Sequence, residues 1–313
     1  MIVALAGGVG GAKLADGLAR CLGAELTVIV NTGDDFEHLG LHIAPDLDTV
    51  MYTLAGIANP ATGWGIAGET WSTIEQVARL GGPDWFKLGD RDLATHILRT
   101  QRLRSGERLT DITAGLCRTL GIAARILPMS DDAVRTIVQS GDDRHTFQDY
   151  FVRLQCAVPV TALHFDGAAA AQPSPEVTAA LTVASLAAVI VCPSNPYLSV
   201  DPILAVPGMR DRIVQAGVPV VAVSPIIGGA AVKGPAAKIM AELGVSPSVT
   251  AIAERYKGLI AGLMIDTVDA HLASGIEAMG IRVRATSILM RSSEDRRRLA
   301  VECLAFSHAL SRR

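Results

Sequence analysis

The chain has 313 residues, half of them hydrophobic, and its 28 Lys and Arg nearly balance its 31 Asp and Glu. This length and composition exclude a disordered chain and allow a sizeable buried core. The small net charge gives no strong field that would hold a nucleic acid or an anionic membrane surface, so we expect neither as a partner.

The apolar runs and the first residues bear on location. The longest runs, such as LAAVIVC, are too short to span a bilayer, and MIVALAGGVGG lacks the basic and apolar regions of a secretory signal. We therefore expect a cytoplasmic protein.

Short β-branched apolar runs recur along the chain, namely MIVALA, LTVIV, AAVIVC, PVVAV, GLMID and IRVRA. Stretches suited to helices, such as GAKLADGLARCLG and PAAKIMAELG, separate them, and EDRRRLAVECLAFSHAL resembles a closing amphipathic helix. The alternation predicts an α/β fold with a Rossmann-like, doubly wound, mostly parallel sheet. Ligands of such sheets bind beyond the carboxyl ends of the strands, so the loops there are the candidate sites.

The pattern changes between residues 57 and 160. DLATHILRTQRLRSG and RLTDITAGLCRTLG favour helices, and ARILPM and VRTIVQS are weaker strands. We therefore expect residues 1–56 and 161–313 to form the Rossmann-like core, and 57–160 to form a mixed, largely helical insertion over the sheet.

The first predicted strand ends in the glycine turn AGGVGGAKLADGLA, which leads into a helix. Its glycines free the backbone, so that amide groups at the helix start can face an anion, and Lys13 adds a cation. The spacing matches only the first half of a dinucleotide fingerprint, and the Gly-Lys-Ser/Thr of a P-loop is missing. The turn predicts phosphate contact by Gly8, Gly10 and Lys13, with a plain tight connection as the alternative.

Polar side chains follow the second strand in NTGDDFEHLG. Asn31, Asp34 and Asp35 suit a ribose, a metal ion or their own turn. His38 and His42 have the spacing of two metal ligands on a helix, but the strand-like LGLHIA favours ordinary loop and strand histidines.

Two carboxylates, Asp46 and Asp48, lie two positions apart in APDLDTVMYTLAG. One interpretation is structural: Pro45 and Asp46 form a turn, and Asp48 caps a helix that begins near Thr49. The other is a magnesium site, because that ion prefers a few carboxylates together with phosphate oxygens and water. The neighbouring glycine turn favours the magnesium site.

The three tryptophans fall within a short stretch of the predicted insertion, at Trp64, Trp71 and Trp85. They suit either a small local core or a slot for a flat ring system. Lys87 and the GDRD that follows place an amine, a guanidinium and two carboxylates at a predicted helix start. Asp90 or Asp92 can cap this helix. Alternatively, Arg91 can bind a phosphate.

Two loops in the second half resemble the first glycine turn in position. Ser194 and Asn195 follow a buried strand in VIVCPSNPYLSVDPIL. Gly228, Gly229 and Lys233 follow the next strand in VSPIIGGAAVKGPAAKIM, before a proline at a helix start. The second of these loops, together with the first glycine turn, gives two anion sites that face one crevice, which indicates a diphosphate or two phosphorylated ligands.

These segments together resemble the bacterial branch of the 2-phospho-L-lactate transferase family. The resemblance rests on GGVGGAK, PDLDTVMYTLAG, KLGDRDLATHI, LPMSDD, HTFQDYF, PSNPYLSVDPILAVPGMR and SPIIGGAAVKGPAAK, which run in order from residue 7 to about residue 240. It implies transfer of a phosphorylated three-carbon acid from a guanosine diphosphate-linked donor to the deazaflavin Fo, with release of GMP, in coenzyme F-420 biosynthesis. It also implies a magnesium requirement and a separate guanylyltransferase that supplies the donor.

The resemblance further implies that Asp48 and Lys87 contact the deazaflavin, and the insertion with Trp85 is expected to cover its ring. As a hypothesis, Asp46 and Asp48 hold the magnesium ion and serve in catalysis, Asp48 accepting the proton or hydrogen bond of the attacking hydroxyl. The nucleotide and its phosphates are assigned to Gly8, Gly10, Lys13, Ser194, Asn195, Gly228 and Gly229.

Several points stay open at this stage. Phospholactyl, phosphoenolpyruvyl and 3-phosphoglyceryl donors all remain, because the first loop has GGVGGAK where archaeal members usually place threonine and proline. The loop that recognises guanine is not identified, and a homodimer is compatible with such a fold.

Two other functions compete with the transferase. The first is a nucleotide-sugar-binding regulator that resembles the gluconeogenesis factor family, against which the tryptophan segment and KLGDRD argue. The second is a nicotinamide-dependent oxidoreductase, which the missing third glycine and Asn31 at the end of the second strand disfavour.

Overall fold

The computed structural model describes residues 1–312. In that range the strands are β1 (Ile2–Ala6), β2 (Leu26–Val30), β3 (Phe36–His38), β4 (Leu41–Ile43), β5 (Arg125–Pro128), β6 (Arg135–Ser140), β7 (Asp143–Thr146), β8 (Ala162–Asp166), β9 (Ala188–Val191), β10 (Val220–Val223), β11 (Ile226–Ile227), β12 (Ala230–Ala231), β13 (Gly262–Ile265) and β14 (Arg282–Ala285). The α-helices are α1 (Gly8–Leu22), α2 (Pro45–Leu54), α3 (Ser72–Arg79), α4 (Asp90–Arg104), α5 (Leu109–Thr119), α6 (Pro175–Thr182), α7 (Asp201–Ala205), α8 (Met209–Gln215), α9 (Ala236–Glu242), α10 (Val249–Arg255), α11 (Ala273–Glu277) and α12 (Ser293–Ser311). Short 3-10 or π turns span Gly23–Glu25, Asp149–Arg153, Ala168–Ala170, Pro196–Val200 and Thr267–Leu272.

The central sheet has seven parallel strands in the order β14-β13-β10-β9-β1-β2-β5. The chain moves outward from β1 through β2 to β5, then returns to β9 and moves outward on the other side. The order therefore reverses between β1 and β9, and the crevice outside their carboxyl ends is where such sheets bind ligands. The predicted Rossmann-like, doubly wound fold is confirmed.

The core lies on both faces of this sheet, because the inner strands β1, β9, β10 and β13 are apolar at every position. Along β1, Val3 and Leu5 face one hydrophobic cluster, whereas Ile2, Ala4 and Ala6 face the other. Side chains of α6, α8 and α10 belong to the first cluster, and those of α1 and α12 belong to the second.

Helices α1 and α12 approach each other very closely over the second face. A Cβ atom at Gly17 of α1 would lie 2.1 Å from the carbonyl oxygen of Arg296 on α12. Glycine is therefore required at this crossing, and the close approach fixes α1 and the loop before it.

The structure corrects one sequence-based assignment within residues 57–160. The stretch ARILPM was assigned to the insertion, but β5 pairs in parallel with β2 and forms an edge of the central sheet. An arginine and a proline in a short strand are tolerated there because an edge strand has a free side. The remainder of 57–160 contains α3, α4, α5 and the β6–β7 hairpin, and β8 adds to that hairpin to give the sheet order β7-β6-β8. The domain boundaries themselves stay a prediction.

Across residues 1–312, the helices are either too short or too polar to span a bilayer.

Candidate active site

A cleft of about 670 Å³ opens at the carboxyl ends of the central strands. Most of the predicted site residues line it, namely Gly8, Gly10, Lys13, Asp46, Asp48, Trp85, Lys87, Ser194 and Asn195. The structure therefore brings together segments from both halves of the chain at the point where the strand order reverses.

The glycine turn packs directly against the loop that follows β9. The Gly7 amide donates to Ser194 Oγ (3.1 Å), and this hydroxyl donates to the Gly7 carbonyl (2.9 Å). A Cβ atom at Gly10 would lie 2.4 Å from the Pro193 carbonyl oxygen, so a side chain cannot be added without separating the loops. The two loops form one rigid unit at the start of α1.

Asp46 ties the glycine turn to α2. The structure overturns the interpretation of Asp48 as a cap near Thr49, because α2 begins at Pro45, which is well suited to the first helical position. The Asp46 carboxylate accepts hydrogen bonds from the Gly8 amide (2.7 Å) and from Asn31 Nδ2 (2.9 Å). Burial raises the pKa of Asp46 to about 6, although these hydrogen bonds oppose the shift.

Asp34, which follows β2, is a second buried carboxylate of the cleft lining. Burial, and then the charge of Asp46, raise its pKa well above the ordinary value. Its Oδ1 atom is buried and has no hydrogen-bond partner among residues 1–312. The sequence left a ribose, a metal ion or a turn open for Asp34, and the unpartnered oxygen favours a cation.

Asp48 faces a different set of partners from Asp46, because residues two apart on a helix do not share a face. Arg99 Nη1 on α4 donates to Asp48 Oδ2 (3.0 Å), and Arg99 Nη2 donates to Asp48 Oδ1. His96 Nδ1 lies 3.6 Å from Asp48 Oδ2. Arg99 and His96 are each only 1% exposed; Asp48 and His96 border the cleft, and Arg99 lies behind them, outside the lining given by residues 1–312.

Asp48, Asp92 and His96 also form a group of possible metal ligands, with one atom of each within 4.8 Å of the others. Asp92 accepts a hydrogen bond from the Tyr52 hydroxyl (2.7 Å) and lies 3.3 Å from His96 Nε2. Asp48 is also paired with the Arg99 guanidinium, so its negative charge is already balanced without a metal ion.

An aromatic wall forms another part of the cleft. Trp85 and Phe86 line it and pack on Phe36 and His38 of the β3–β4 hairpin, with ring centroids 4.8 to 6.1 Å apart. Lys87 is exposed at the end of this wall. The two histidines lie in the hairpin as the sequence favoured, and His42 Nε2 contacts Asp35 Oδ2 at 3.0 Å.

Trp64 lies elsewhere on the lining and is 43% exposed, whereas Trp71 precedes α3 and is not part of the lining formed by the described residues.

Sequence analysis missed a further aromatic surface, Phe147 and Phe151, whose rings stack with centroids 5.3 Å apart. Phe151 is 40% exposed in the cleft. The only sequence signal was the segment HTFQDYF.

The GDRD segment joins two helices. The Asp90 carboxylate accepts hydrogen bonds from the Ser72 and Thr73 amides at the start of α3, while Glu69 accepts from the Arg91 and Asp92 amides at the start of α4. The hydrogen bond from Thr70 contributes most to lowering the pKa of Asp90 to about 2. The Arg91 side chain donates to the Ala67 carbonyl and lies outside the lining given by residues 1–312.

Basic side chains collect near the start of α1. Lys13 Nζ donates to the Met290 carbonyl (3.1 Å), and burial, Arg296 and Lys233 lower its pKa. Lys233 lines the cleft and donates to the Thr62 carbonyl (3.0 Å).

Asn195 and the second glycine pair have separate local roles. Asn195 Oδ1 accepts from the Tyr197 and Leu198 amides, and its Nδ2 is buried without a partner in the described chain. Gly228 and Gly229, with φ of 56° and 78°, form the turn of the β11–β12 hairpin. Within residues 1–312 these two glycines do not line the cleft, and the Gly228 amide donates to Asp269 Oδ2 (2.9 Å).

Comparison with known proteins gives a consistent result over nearly the whole chain. The model of the family "2-phospho-L-lactate transferase CofD" matches residues 2–289. The phosphoenolpyruvate transferase of Streptomyces avermitilis is 48% identical over 313 residues, covering 98% of each chain, and that of Kitasatospora aureofaciens is 46% identical, covering 98% of this chain and 97% of the relative. A crystal structure of the UPF0052 family protein BH3568 from Bacillus halodurans is similar in fold, with a TM-score of 0.63 at 14% identity over 97% of this chain and 98% of that one.

Proposed function

Since the chain belongs to the 2-phospho-L-lactate transferase family, we propose that it transfers a phosphoenolpyruvyl group from a guanosine diphosphate-linked donor to the deazaflavin Fo. The products are GMP and a phosphodiester in the biosynthesis of coenzyme F-420. The names of the relatives from Streptomyces avermitilis and Kitasatospora aureofaciens favour phosphoenolpyruvyl over the other two acids that the sequence left open.

The donor side of the cleft, which we define as the Gly7–Lys13 segment, the Ser194–Asn195 loop and Lys233, suits a diphosphate. The first amides of α1 lack intrahelical partners and carry the positive end of the helix dipole. The Gly8 amide donates to Asp46, so the amides after it are the ones offered to a phosphate. Lys13 and Lys233 add positive charge at the same place. The unpartnered Asn195 Nδ2 supplies one more donor. Phosphate oxygens are acceptors only, and this side offers mainly donors.

A magnesium ion fits Asp34 and Asp46 better than the group around His96. Magnesium prefers carboxylate and phosphate oxygens over nitrogen, and Asp48 is already paired with Arg99. Asp34 and Asp46 are two buried carboxylates whose charges repel, and Asp34 has a buried oxygen without a partner among residues 1–312. When bound, the ion would neutralise charge on the diphosphate. Asp46 remains a proposed ligand, and Asp34 replaces Asp48 in that role.

The acceptor side, which we define as Asp48, Trp85, Lys87 and the α4 residues behind them, suits a flat ring with a polyhydroxyl chain. Trp85 offers a ring face, and Lys87 an exposed amine at the same wall. Asp48 accepts a hydrogen bond from the terminal hydroxyl of the ribityl chain and orients its oxygen toward the donor.

The reaction is a displacement at the distal phosphorus of the donor. The acceptor oxygen forms the new P–O bond, the bond from that phosphorus to the bridging oxygen breaks, and GMP leaves with the electron pair. The hydroxyl proton passes by way of Asp48 to GMP or to water. Such a step depends mainly on positioning and on neutralising charge, which the two sides of the cleft divide between them.

One observation carries this proposal: the anion-binding helix start and the Asp48–Lys87 surface line the same cleft, at the point where the strand order reverses. A regulator that only binds a nucleotide sugar has no need for the acceptor side. The similarity to BH3568 concerns the fold alone and does not favour that alternative.

Purified protein, Fo, Mg²⁺ and each guanosine-linked donor, generated in place by a guanylyltransferase, provide the test. We expect GMP release that requires Fo and a product of the phosphoenolpyruvyl mass. Reactions without Fo or without Mg²⁺ serve as controls. Absence of product with all three donors, or binding of a uridine diphosphate sugar without any turnover, contradicts the proposal.

A further inference from the structure

We propose that Arg99 is a positioning residue for the transfer, because it fixes the Asp48 carboxylate in the orientation that meets the acceptor hydroxyl. The inference rests on the proposed function and deepens it. Arg99 lies beyond the motif KLGDRDLATHI, and the resemblance gave it no role.

The Arg99 guanidinium and the Asp48 carboxylate form a bidentate pair, which we call the fork. Nη1 and Nη2 of Arg99 each donate to a different oxygen of Asp48, and Arg99 is 1% exposed. A carboxylate offers about four lone pairs, so two remain for other partners. Since Asp48 lines the cleft, those two are available to a ligand there, and the fork fixes their direction.

Arg99 is itself held from behind. Its Nη1 lies 3.3 Å from His96 Nδ1, and because a guanidinium only donates, His96 accepts at Nδ1 and carries its proton on Nε2. That Nε2 lies 3.3 Å from Asp92 Oδ1 without hydrogen-bond geometry, and Asp92 Oδ1 accepts a hydrogen bond from the Tyr52 hydroxyl on α2. The chain of contacts therefore starts and ends on α2 and passes through α4, so both ends of the fork are anchored.

Stability alone does not account for this arrangement. Burying a guanidinium is costly, and the Arg99 Nε atom is buried without a hydrogen-bond partner in the described chain. A packed apolar pair would stabilise the α2–α4 contact at least as well. The Arg99–Asp48 pair is explained if Arg99 keeps the Asp48 carboxylate charged and fixed at the edge of the ligand cleft.

The first test is Arg99→Lys, which keeps the positive charge but cannot form the fork. We expect kcat for Fo-dependent GMP release to fall about 100-fold, since small misplacements cost that much. KM for Fo should change by less than about threefold. The matched control is Arg102→Lys on the same helix, whose guanidinium forks onto Glu107 outside the cleft given by residues 1–312. It should leave kcat within about twofold.

A double-mutant comparison separates positioning from general damage. In the Asp48→Asn background the fork has lost one of its two acceptor oxygens and can no longer form, so adding Arg99→Lys should cost less than about threefold more. If the two losses multiply, Arg99 acts independently of Asp48 and the inference is overturned.

A second pair of variants covers the possibility that Arg99→Lys does not fold. His96→Gln keeps an acceptor for Arg99, whereas His96→Leu does not. We expect His96→Gln to retain kcat within about threefold and His96→Leu to lose about tenfold. Equal rates for the two variants overturn the inference.

The outcomes distinguish this inference from the proposed function. If the unaltered protein releases no GMP with Fo, both fail together. If it is active and Arg99→Lys or the His96 pair keeps full kcat, only the positioning role fails.

Discussion

The donor side of the cleft is built mostly from backbone, whereas the acceptor side is built from side chains. On the donor side, the loops after β1 and β9 touch through Gly7 and Ser194, and Gly10 has no room for a Cβ atom. On the acceptor side, Asp48 on α2 is oriented by Arg99 on α4, which is 51 residues away in sequence. A single substitution that disturbs the backbone of the donor side should therefore cause a large loss of donor affinity. Substitutions of side chains on the acceptor side should reduce turnover by graded amounts.

The largest effect is expected from Gly10→Ala on the donor side. The new methyl group would lie 2.4 Å from the Pro193 carbonyl oxygen, so the two loops must separate. We expect kcat/KM for the donor to fall at least about 100-fold, and calorimetry should show the same loss in GDP affinity. Unchanged GDP affinity would show that this loop does not hold the diphosphate.

The next largest effect is expected from Asp48→Asn on the acceptor side. The amide keeps the shape but offers a weaker acceptor, so kcat should fall about 10²- to 10⁴-fold while GDP affinity stays unchanged. The variant also leaves the Arg99 charge buried and unpaired, which should cost about 3 kcal/mol of unfolding free energy. GMP release and urea denaturation measure the two effects. Near-normal turnover means that this carboxylate only serves the fold.

A moderate effect is expected from Trp85→Ala. Loss of a ring face for the deazaflavin should raise KM for Fo about tenfold and leave kcat nearly unchanged. Trp71→Ala is the control, because that ring is not part of the cleft lining of residues 1–312. If both variants raise KM equally, the aromatic wall is a structural core and not a ring site.

The smallest effect on transfer is expected from Gly228→Ala. Its φ of 56° makes the substitution cost about 1–2 kcal/mol, which thermal unfolding measures. KM for the donor should change by less than about twofold, because Gly228 and Gly229 are not part of the cleft lining of residues 1–312. A clear loss of donor affinity would instead support the phosphate contact that the sequence predicted for Gly228 and Gly229.

The contrast between the two sides also explains what the sequence could predict. The glycine turn and the Ser194 loop each follow a buried strand directly, so the strand pattern and the position rule for parallel sheets were enough to place them in one crevice. The mostly parallel central sheet followed from the same alternation, but ARILPM, which contains an arginine and a proline, was assigned to the insertion although β5 is an edge strand of that sheet.

The acceptor side needed three-dimensional information. Asp46 and Asp48 share one motif, yet their positions on α2 turn them to different partners, and neither Asn31 nor Arg99 is close in sequence. Gly228 and Gly229 suggested an anion loop, although a Gly-Gly pair between short apolar runs is also a hairpin signal. Phe151 belongs to no pattern that indicates a binding surface.

The most direct test is a crystal structure of the protein with GDP, Mg²⁺ and Fo bound together. We predict that the diphosphate lies at the start of α1 and that the terminal ribityl hydroxyl lies about 3 Å from an Asp48 oxygen, pointing toward the distal phosphate. Fo bound outside this cleft, or with its hydroxyl turned away from both Asp48 and the phosphate, would contradict the account.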